Sequence, residues 1–254
     1  MPTASSPIES VDRALVLLTM MRNQGSVSVS EAAAHLGVAP STAHRLLTAL
    51  LHRDFARQDH LRRYRVGPAF WTAPVRSPAL AALRDAARPA LEHAHAETGE
   101  TVQLMVLRGG AILFVDGIES GHGLRIAMRH GDTVPAFSSA GGKALLSRLN
   151  NEQLEELYRA GLPAWPTSPI RSLPALKRRM TRVRQDGYAT SLEETEQGVI
   201  GVGVAVVDAL GRPLAGLTTA TPSVRFARTD VPRHVEVLQA AAGLLEQRYA
   251  ERLG

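Results

Sequence analysis

The residues that follow Pro40 combine hydroxyl and cationic side chains on one side of a predicted helix. Serine and threonine near the start of a helix can reach phosphate oxygens or base edges, and an arginine can pair with O6 and N7 of guanine. This chemistry predicts contacts in a DNA groove, with His44 touching a phosphate or lying at the helix edge. The alternative is an ordinary solvated helix face. The candidates are Ser41, Thr42, His44, Arg45 and Thr48, whereas Ala43, Leu46, Leu47 and Leu50 recur at helical spacing and are expected in the core.

A second group of cations lies in the segment 55–66, where apolar and polar residues roughly alternate at both ends. That pattern predicts two short strands joined by a turn over 58–62. Arginines on such a ribbon are suited to phosphate contacts, which weaken as salt is added. The alternative is that they only keep an exposed hairpin soluble. The cations are Arg57, Arg62, Arg63 and Arg65, of which we expect Arg57, Arg62 and Arg63 to contact DNA.

Short-range signals define the helices that must position these side chains. Ser28 or Ser30 can cap a helix that ends at Leu36, and Gly37 suits the left-handed conformation in which helices often end. Pro40 fits the first turn of the next helix because its missing N–H has no helical partner there. With a further helix over 8–22, a disordered start over 1–7 and the basic ribbon, the pattern predicts a winged helix-turn-helix over residues 1–70.

Composition sets the broad class. The 254 residues carry a net charge of +5, and 44% of them are hydrophobic, as is ordinary for a globular protein. Residues 1–70 carry +3 of that charge, which is compatible with a nucleic-acid partner without proving one. The absence of cysteine excludes disulfides, Cys-ligated zinc and thiol redox sensing. Because the sequence has neither a long apolar run nor a signal-peptide pattern, we expect a cytoplasmic protein without membrane contact.

The rest of the chain interleaves predicted helices and strands. We expect a connecting helix or hinge over 69–83, with Pro78 and Pro89 preventing a single continuous helix. Adjacent strands joined by hairpins, one of them at Gly109-Gly110, predict an α+β domain with a largely antiparallel sheet. Strands are expected over 101–107, 111–118, 124–129, 199–208 and 213–220, and helices over 84–98, 151–160, 173–185 and 230–253, with a loop that leads into a helix over 134–149.

Several catalytic patterns are incomplete. Gly141-Gly142-Lys143 lacks the first glycine and the Ser or Thr of a phosphate-binding loop. Ser139 and Lys143 have one residue too many between them for a Ser-x-x-Lys nucleophile, and Gly201-Val-Gly203 lacks the third glycine of a dinucleotide fingerprint. We therefore expect no catalytic residue, no metal and no cofactor. The same reasoning assigns His93-Ala-His95 with Glu92 to a solvated helix face and Glu193, Glu194 and Glu196 to a loop.

An ordered series of motifs resembles the IclR-type family of transcription factors, named after the isocitrate lyase regulator. The resemblance covers nearly the whole chain and implies a winged helix-turn-helix, a linker helix and a C-terminal effector domain of GAF-like form. It also implies dimers or dimers of dimers, and effectors that are small metabolites, often carboxylic acids. The motifs are SVDRALVLL (10–18), VSEAAAHLGVAPSTAHRLL (29–47), YRVGPAF (64–70), ETGETVQLMVL (97–107), SSAGGKALL (138–146), DGYATSLEETEQGVIGVGVAVVD (186–208) and PLAGLTTATPS (213–223).

The resemblance also implies an effector pocket beside one face of the central sheet. Family members place polar groups or cysteine where this chain has Gly201, and serine where it has Ala220. These departures favour a bulkier, partly apolar ligand such as an aromatic acid. Arg125 could instead pair with a surface acid, and Gly201 and Gly203 could serve close backbone packing. Carried over by motif, the pocket residues are Ala140, Gly141, Val199, Gly201, Thr218 and Ala220, with Arg125 and Met128 on the neighbouring segment and backbone N–H groups of Ala140 and Gly141 facing an anionic oxygen.

Together these observations predict a ligand-responsive regulator that binds a double-stranded DNA operator. We expect a repressor of a catabolic operon that forms homodimers or dimers of dimers and responds to a small carboxylic acid. Residues 1–70 would form the DNA-binding domain, 71–90 the linker helix or hinge, and 91–254 the effector domain. The alternatives are a constitutive architectural DNA-binding protein and an enzyme with a DNA-binding appendage.

Overall fold

The computed structural model describes residues 8–59, 62–67, 69 and 78–253. The chain divides into two compact units, Met1–Pro74 and Val75–Gly254. The predicted disorder of residues 1–7, the centre of the predicted turn at 60–61 and most of the predicted connection, over 70–77, lie outside the described residues. The first unit contains helices α1 (Glu9–Gln24), α2 (Val29–Leu36) and α3 (Pro40–His52), and strands β1 (Ala56–Gln58) and β2 (Tyr64–Val66).

Local signals in the first unit act as the sequence predicts. Ser28 caps α2: its hydroxyl accepts from the Glu31 N–H, while the Glu31 carboxylate accepts from the Ser28 N–H. Gly37 ends α2 in the left-handed conformation with φ 63°, and Pro40 is the first residue of α3. The core between the three helices and the ribbon contains fully buried Leu17, Met21, Val27, Ala43 and Leu47.

The ribbon is an antiparallel pair in which Ala56 lies opposite Val66 and Gln58 opposite Tyr64. Tyr64 also forms a bridge with Val27, through Val27 N–H to Tyr64 O and Tyr64 N–H to Val27 O, each 2.8 Å. This additional bridge fixes the ribbon to the segment between α1 and α2. The predicted winged helix-turn-helix is confirmed.

The second unit is built on a six-stranded antiparallel sheet in the order β5-β4-β3-β8-β7-β6. It contains α4 (Pro78–Thr98), β3 (Thr101–Arg108), β4 (Ala111–Ile118), β5 (Thr133–Pro135), a 3₁₀ turn (Ala136–Ser138), α5 (Ala140–Leu146), α6 (Asn151–Leu157), α7 (Leu173–Asp186), β6 (Ala189–Leu192), β7 (Val199–Val207), β8 (Pro213–Pro222), a second 3₁₀ turn (Arg228–Asp230) and α8 (Val231–Leu253). The predicted α+β class is confirmed. No helix in the described part of the chain is long and apolar enough to cross a membrane.

Strand alternation divides the core into two layers. Leu104 of β3, Val204 of β7 and Leu217 of β8 face α4 and α8, where they join Leu91 and Leu238 in one cluster. Met105 lies on the opposite face with the residues of α5, α6 and α7. Glycine occupies the positions of that face nearest α5, and a Cβ on Gly203 would lie 2.5 Å from the Gly141 nitrogen. Helix α5 therefore packs directly on the strand backbone.

Two predictions for this unit are wrong. The interruption at Pro89 does not occur, because α4 runs without a break from Pro78 to Thr98. Pro78 is the first described residue of α4, and fully buried Ala86, Ala90 and Leu91 offset the hydrogen bond that Pro89 removes.

The predicted strand over 124–129 is also absent, because the backbone of this segment joins no ladder of the sheet. That segment is held instead by side chains: the Thr101 hydroxyl donates to the Ile126 carbonyl at 2.6 Å, and the Gln103 amide donates to the Ala127 carbonyl at 3.5 Å. Strands β5 and β6, at the two edges of the sheet, were not predicted.

Candidate nucleic-acid interface and ligand cavity

Helix α3 presents the predicted polar side chains away from the core. Ser41, His44 and Arg45 are exposed, and Thr42 and Thr48 are half-buried. Within the described residues Arg45 has no ion-pair partner, so its guanidinium is available to a ligand. Residues 41, 45 and 48 fall on one side of the helix, opposite the buried stripe of residues 43, 47 and 50. None of the five predicted side chains is buried in the core, and their contact with DNA stays a prediction.

The structure distinguishes between the arginines of the ribbon. Arg57 and Arg62 are exposed, and neither has an ion-pair partner in the part of the chain that the structure describes. Arg62 lies at the turn with φ 58°. Arg65 pairs with Asp59 at 2.9 Å. The cations that this ribbon presents to a partner are therefore Arg57 and Arg62.

Arg63, predicted as a third DNA contact, is bonded to other side chains and backbone of the first unit. Its guanidinium donates to the Ser26 hydroxyl at 2.9 Å, to the Ser26 carbonyl at 3.2 Å and to the Glu31 carboxylate at 2.7 Å. Hydrogen bonds from the Ser28 N–H and from Arg63 lower the pKa of Glu31, so the pair stays ionised. The interaction links the ribbon to the N-terminus of α2 and leaves Arg63 with its charge already paired.

The second unit contains a cavity between the sheet and three covering segments. Its floor is the face of β3, β7 and β8 that is directed toward α5, and its walls include residue 140 of α5, the loop 193–198 and the segment 126–129. The cavity measures about 30 Å³, which is enough to hold a water molecule. It exists because the strands carry small residues at this point: a Cβ on Gly201 would meet Ala140 only at 3.4 Å, ordinary contact distance.

Five of the eight predicted pocket residues line this cavity: Ala140, Val199, Gly201, Thr218 and Ala220. Gly141 lies immediately behind the wall, where a Cβ would approach the Thr218 hydroxyl to 2.5 Å. Met128 is directed at Gly117, with its sulfur 3.2 Å from a Cβ built there. Arg125 pairs with Glu119, so the alternative of a surface ion pair describes it. Arg125 and Met128 are not among the described residues that line the cavity.

Sequence reasoning missed the other lining residues. Gln103 and Met105 lie on the cavity face of β3, in alternation with apolar residues of the opposite face. A glutamine within an otherwise apolar strand was the signal that could have marked this face as a ligand site. No local pattern marks Arg129, which reaches the cavity from an irregular segment. The lining residues not predicted are Gln103, Met105, Phe114, Ile126, Arg129, Ser139, Ser191 and Thr195.

Two of these hydroxyls already have acceptors. Ser191 donates to the Ser138 carbonyl at 3.0 Å, and Thr195 donates to the same oxygen at 2.9 Å. The two hydroxyls are also 3.1 Å apart. Since each hydroxyl has one proton, this side of the cavity offers acceptors to a ligand rather than donors.

Arg129 is paired with Glu196 across the cavity margin. The arginine side chain is 20% exposed and the glutamate side chain 58% exposed. The Arg129 carbonyl accepts from the Asp132 N–H at 2.8 Å, which fixes the backbone beneath the guanidinium. Glu196 belongs to the loop 193–198, whose carbonyls at Glu194 and Thr195 accept from Thr167 and Trp165.

A buried ion pair holds the same loop from below. Lys143 of α5 is fully buried, and its ammonium lies 2.5 Å from the Glu194 carboxylate, with Arg179 at 3.5 Å from the other carboxylate oxygen. Burial lowers the pKa of Lys143 to about 8, although the charge of Glu194 and its hydrogen bond raise it. The pair connects α5, α7 and the loop that closes the cavity. Its members lie 51 positions apart in the sequence.

No group of three or more His, Asp and Glu side chains in the described ranges is arranged to hold a metal ion. His95 lies near the end of α4, and its Nδ1 is 2.9 Å from the carbonyl of Glu100, in the turn that leads to β3. The first unit has an exposed helix face with hydrogen-bonding side chains, and the second unit has a small cavity lined by polar and apolar residues. Each of these features can bind a partner.

Two models of known protein families match the sequence, one in each unit. The model for the IclR helix-turn-helix domain matches residues 10–60. The model for the bacterial transcriptional regulator IclR C-terminal domain matches residues 79–246.

Individual proteins are similar over most of the chain. The HTH-type transcriptional regulator BhcR of Paracoccus denitrificans is 30% identical over 224 residues, 87% of this chain and 80% of that protein. The transcriptional repressor IclR of Escherichia coli is 30% identical over 231 residues, 88% of this chain and 83% of that protein.

Among solved structures, the IclR of Thermotoga maritima covers 95% of this chain and 99% of its own, with a TM-score of 0.62 and 27% identity. An IclR homolog from Microbacterium hydrocarbonoxydans, solved in complex with 4-hydroxybenzoate, covers 97% of this chain and 100% of its own, with a TM-score of 0.61 and 25% identity.

Proposed function

The chain belongs to the IclR family of bacterial transcriptional regulators, and from that membership we propose that it is a ligand-responsive repressor of a catabolic operon. In this proposal the first unit binds operator DNA and the second binds a small carboxylic acid that changes operator affinity. The observation that carries the proposal is the exposed face of α3, where Arg45 lies between two hydroxyl side chains and has no ion-pair partner among the described residues. Such a regulator acts in the cytoplasm, where its operator is.

DNA reading is assigned to α3 and the ribbon. Arg45 would pair with a guanine or a phosphate in the major groove, and Ser41 and Thr48 would bind phosphates or base edges beside it. Arg57 and Arg62 would bind phosphates, which positions the helix without reading sequence. Homodimers, or dimers of dimers, would place two such helices on two half-sites.

The effector is assigned to the cavity around Gly201. The small residues at 201 and 220 leave room for an apolar body, and the Microbacterium relative binds an aromatic acid. In this proposal the loop 193–198 or the segment 126–129 moves outward to make room for the body of the ligand. Ligand then changes DNA affinity to the extent that it binds one arrangement of the paired DNA-binding units better than the other.

The DNA assignment is tested with operator fragments selected from a random duplex library by the wild-type protein. We expect Arg45→Ala to weaken binding of the selected fragment by about 1–3 kcal/mol if Arg45 reads guanine. The buried-face neighbour Leu46 is unsuitable as a control, so Arg53→Ala, just beyond the end of α3, is used. Unchanged affinity of Arg45→Ala in a gel-shift titration would refute the assignment.

The effector assignment is tested with Gly201→Leu, whose side chain would fill the cavity. We expect it to abolish the response of operator binding to carboxylic acids while operator affinity without ligand is retained. Calorimetry of ligand binding and gel shifts of operator binding are compared for the wild type and the variant. Ligand recovered chemically unchanged after incubation separates a regulator from an enzyme, and wild-type ligand affinity in the variant would show that residue 201 does not contact the effector.

A further inference from the structure

We propose that Arg129 binds the carboxylate of the effector and that Glu196 occupies the guanidinium until the ligand displaces it. This inference rests on the proposed effector function and names the chemistry of the same cavity. It assigns the ligand as a monocarboxylate, and it makes the Arg129–Glu196 pair the contact that ligand binding exchanges.

Charge is the first reason. Arg129 is the single cationic side chain among the described residues that line the cavity. Arg125, four positions earlier, is paired with Glu119, and Glu119 is further held by the Met128 N–H at 3.1 Å. Lys143 is fully buried against Glu194 and does not line the cavity. Among the described lining residues, Arg129 therefore carries the only full positive charge that a carboxylate entering the cavity can meet.

The neutral donors are the second reason. The hydroxyl protons of Ser191 and Thr195 are committed to the Ser138 carbonyl, so these side chains cannot also donate to a carboxylate. The Thr218 hydroxyl has only a 3.9 Å contact to the Met105 sulfur, and remains a neutral donor. The neutral donors that remain at the cavity, among them the Thr218 and Ser139 hydroxyls and the Gln103 amide, carry no compensating charge, whereas a guanidinium can bind both carboxylate oxygens.

The two partners of the ion pair are held differently, which is the third reason. The segment that carries Arg129 is fixed to the sheet through the Thr101 hydroxyl and to its own turn through the Asp132 N–H. Glu196 lies in a loop held at residues 194 and 195, and its own carbonyl accepts from the Val199 N–H at 3.3 Å, but its side chain is 58% exposed against 20% for Arg129. Glu196 can therefore return to water at small cost, while Arg129 stays at the cavity.

The test measures binding of paired probes to the full-length protein by calorimetry. The probes are isobutyrate, benzoate and 4-hydroxybenzoate, each beside its primary amide, which has nearly the same shape and no charge. We expect the wild type to bind at least one acid and to bind its amide at least about tenfold more weakly, since charge-assisted hydrogen bonds are lost.

The variants separate the two members of the pair. Arg129→Gln should lose about tenfold or more in affinity for the acid and no longer distinguish it from the amide. Arg129→Lys, which keeps the charge without the fork, should fall between Arg129→Gln and the wild type. Glu196→Gln should bind the acid more tightly than the wild type, because no carboxylate competes for the guanidinium. Arg125→Gln is the matched control on the same segment and should bind like the wild type.

The outcomes distinguish the inference from the function on which it rests. If an acid binds, but Arg129→Gln binds it with wild-type affinity or the amide binds equally well, the Arg129 assignment is wrong and the effector function stands. Weaker binding by Glu196→Gln would contradict the exchange, because it would make Glu196 a ligand contact. If no acid binds and none alters operator affinity, the proposed carboxylate effector is itself refuted. Retained operator affinity and thermal stability identify variants that are folded.

Discussion

The ribbon arginines give a sharp prediction because two neighbours in sequence differ in their contacts. Arg62 is exposed and has no ion-pair partner among the described residues, whereas Arg63 is bonded to Ser26 and Glu31. Arg62→Ala should therefore remove a phosphate contact. Arg63→Ala should instead destabilise the first unit, because the ribbon loses its link to α2.

The magnitude follows from counterion release. One phosphate contact contributes about −0.9 to the slope of log K against log salt concentration. If the contact is purely electrostatic and is lost at 1 M salt, its removal weakens binding about 15-fold at 50 mM and about 4-fold at 200 mM salt, per bound protomer. The slope of log K against log salt concentration should be shallower for Arg62→Ala than for the wild type by about 0.9 per bound protomer.

The assay is fluorescence anisotropy with a duplex of arbitrary sequence, titrated at several salt concentrations. Arg57→Ala should behave like Arg62→Ala, and Arg63→Ala should keep the wild-type slope while its melting temperature falls. The reasoning is refuted if Arg63→Ala flattens the slope as much as Arg62→Ala does. Loss of binding to selected operators alone, with an unchanged slope for Arg62→Ala, would indicate base reading rather than phosphate contact.

The remaining predictions concern packing and buried charge. Gly203→Ala should lower the free energy of unfolding by about 1–3 kcal/mol in urea denaturation, since its Cβ would lie 2.5 Å from the Gly141 nitrogen. Gly201→Ala should be tolerated, because a Cβ there meets its neighbours at ordinary contact distance. Equal denaturation midpoints for the two variants would contradict the close packing of α5. Lys143→Met should lower the free energy of unfolding by about 3–5 kcal/mol, because it leaves Glu194 buried and poorly paired. Lys177→Met breaks a more exposed pair with Glu155 and should lower it by only about 0–1 kcal/mol. A similar loss for both variants would refute the distinction. The Ser28 N–H and Arg63 lower the pKa of Glu31, so the ionised Glu31 stabilises the fold above the ordinary pKa of glutamate. This contribution is lost as the pH falls through the lower pKa of the folded state, and the difference in melting temperature between the wild type and Glu31→Gln should shrink over that range. A difference that does not depend on pH would contradict this prediction.

The sequence by itself determined the elements whose signals lie within a few residues. Ser28, Gly37 and Pro40 mark the helix-turn-helix because capping, left-handed glycine and N-terminal proline act through the local backbone. The exposed side of α3 followed from helical spacing alone. Ordered motifs identified the family, and five of the cavity residues could be carried over because they lie on regular strands or at a helix start.

Only the tertiary structure decided which charges remain available. Arg63 and Glu31 lie 32 positions apart, and Arg129 and Glu196 lie 67 apart, so neither pair leaves a local pattern. The segment 124–129 has strand-like residues, yet it forms no strand, because its carbonyls at Ile126 and Ala127 accept from side chains of β3 instead of from a neighbouring backbone. Likewise Pro89 stays within α4 because burial of the helix face outweighs one missing hydrogen bond. Such outcomes depend on which surfaces meet after folding, and short-range propensities do not contain that information.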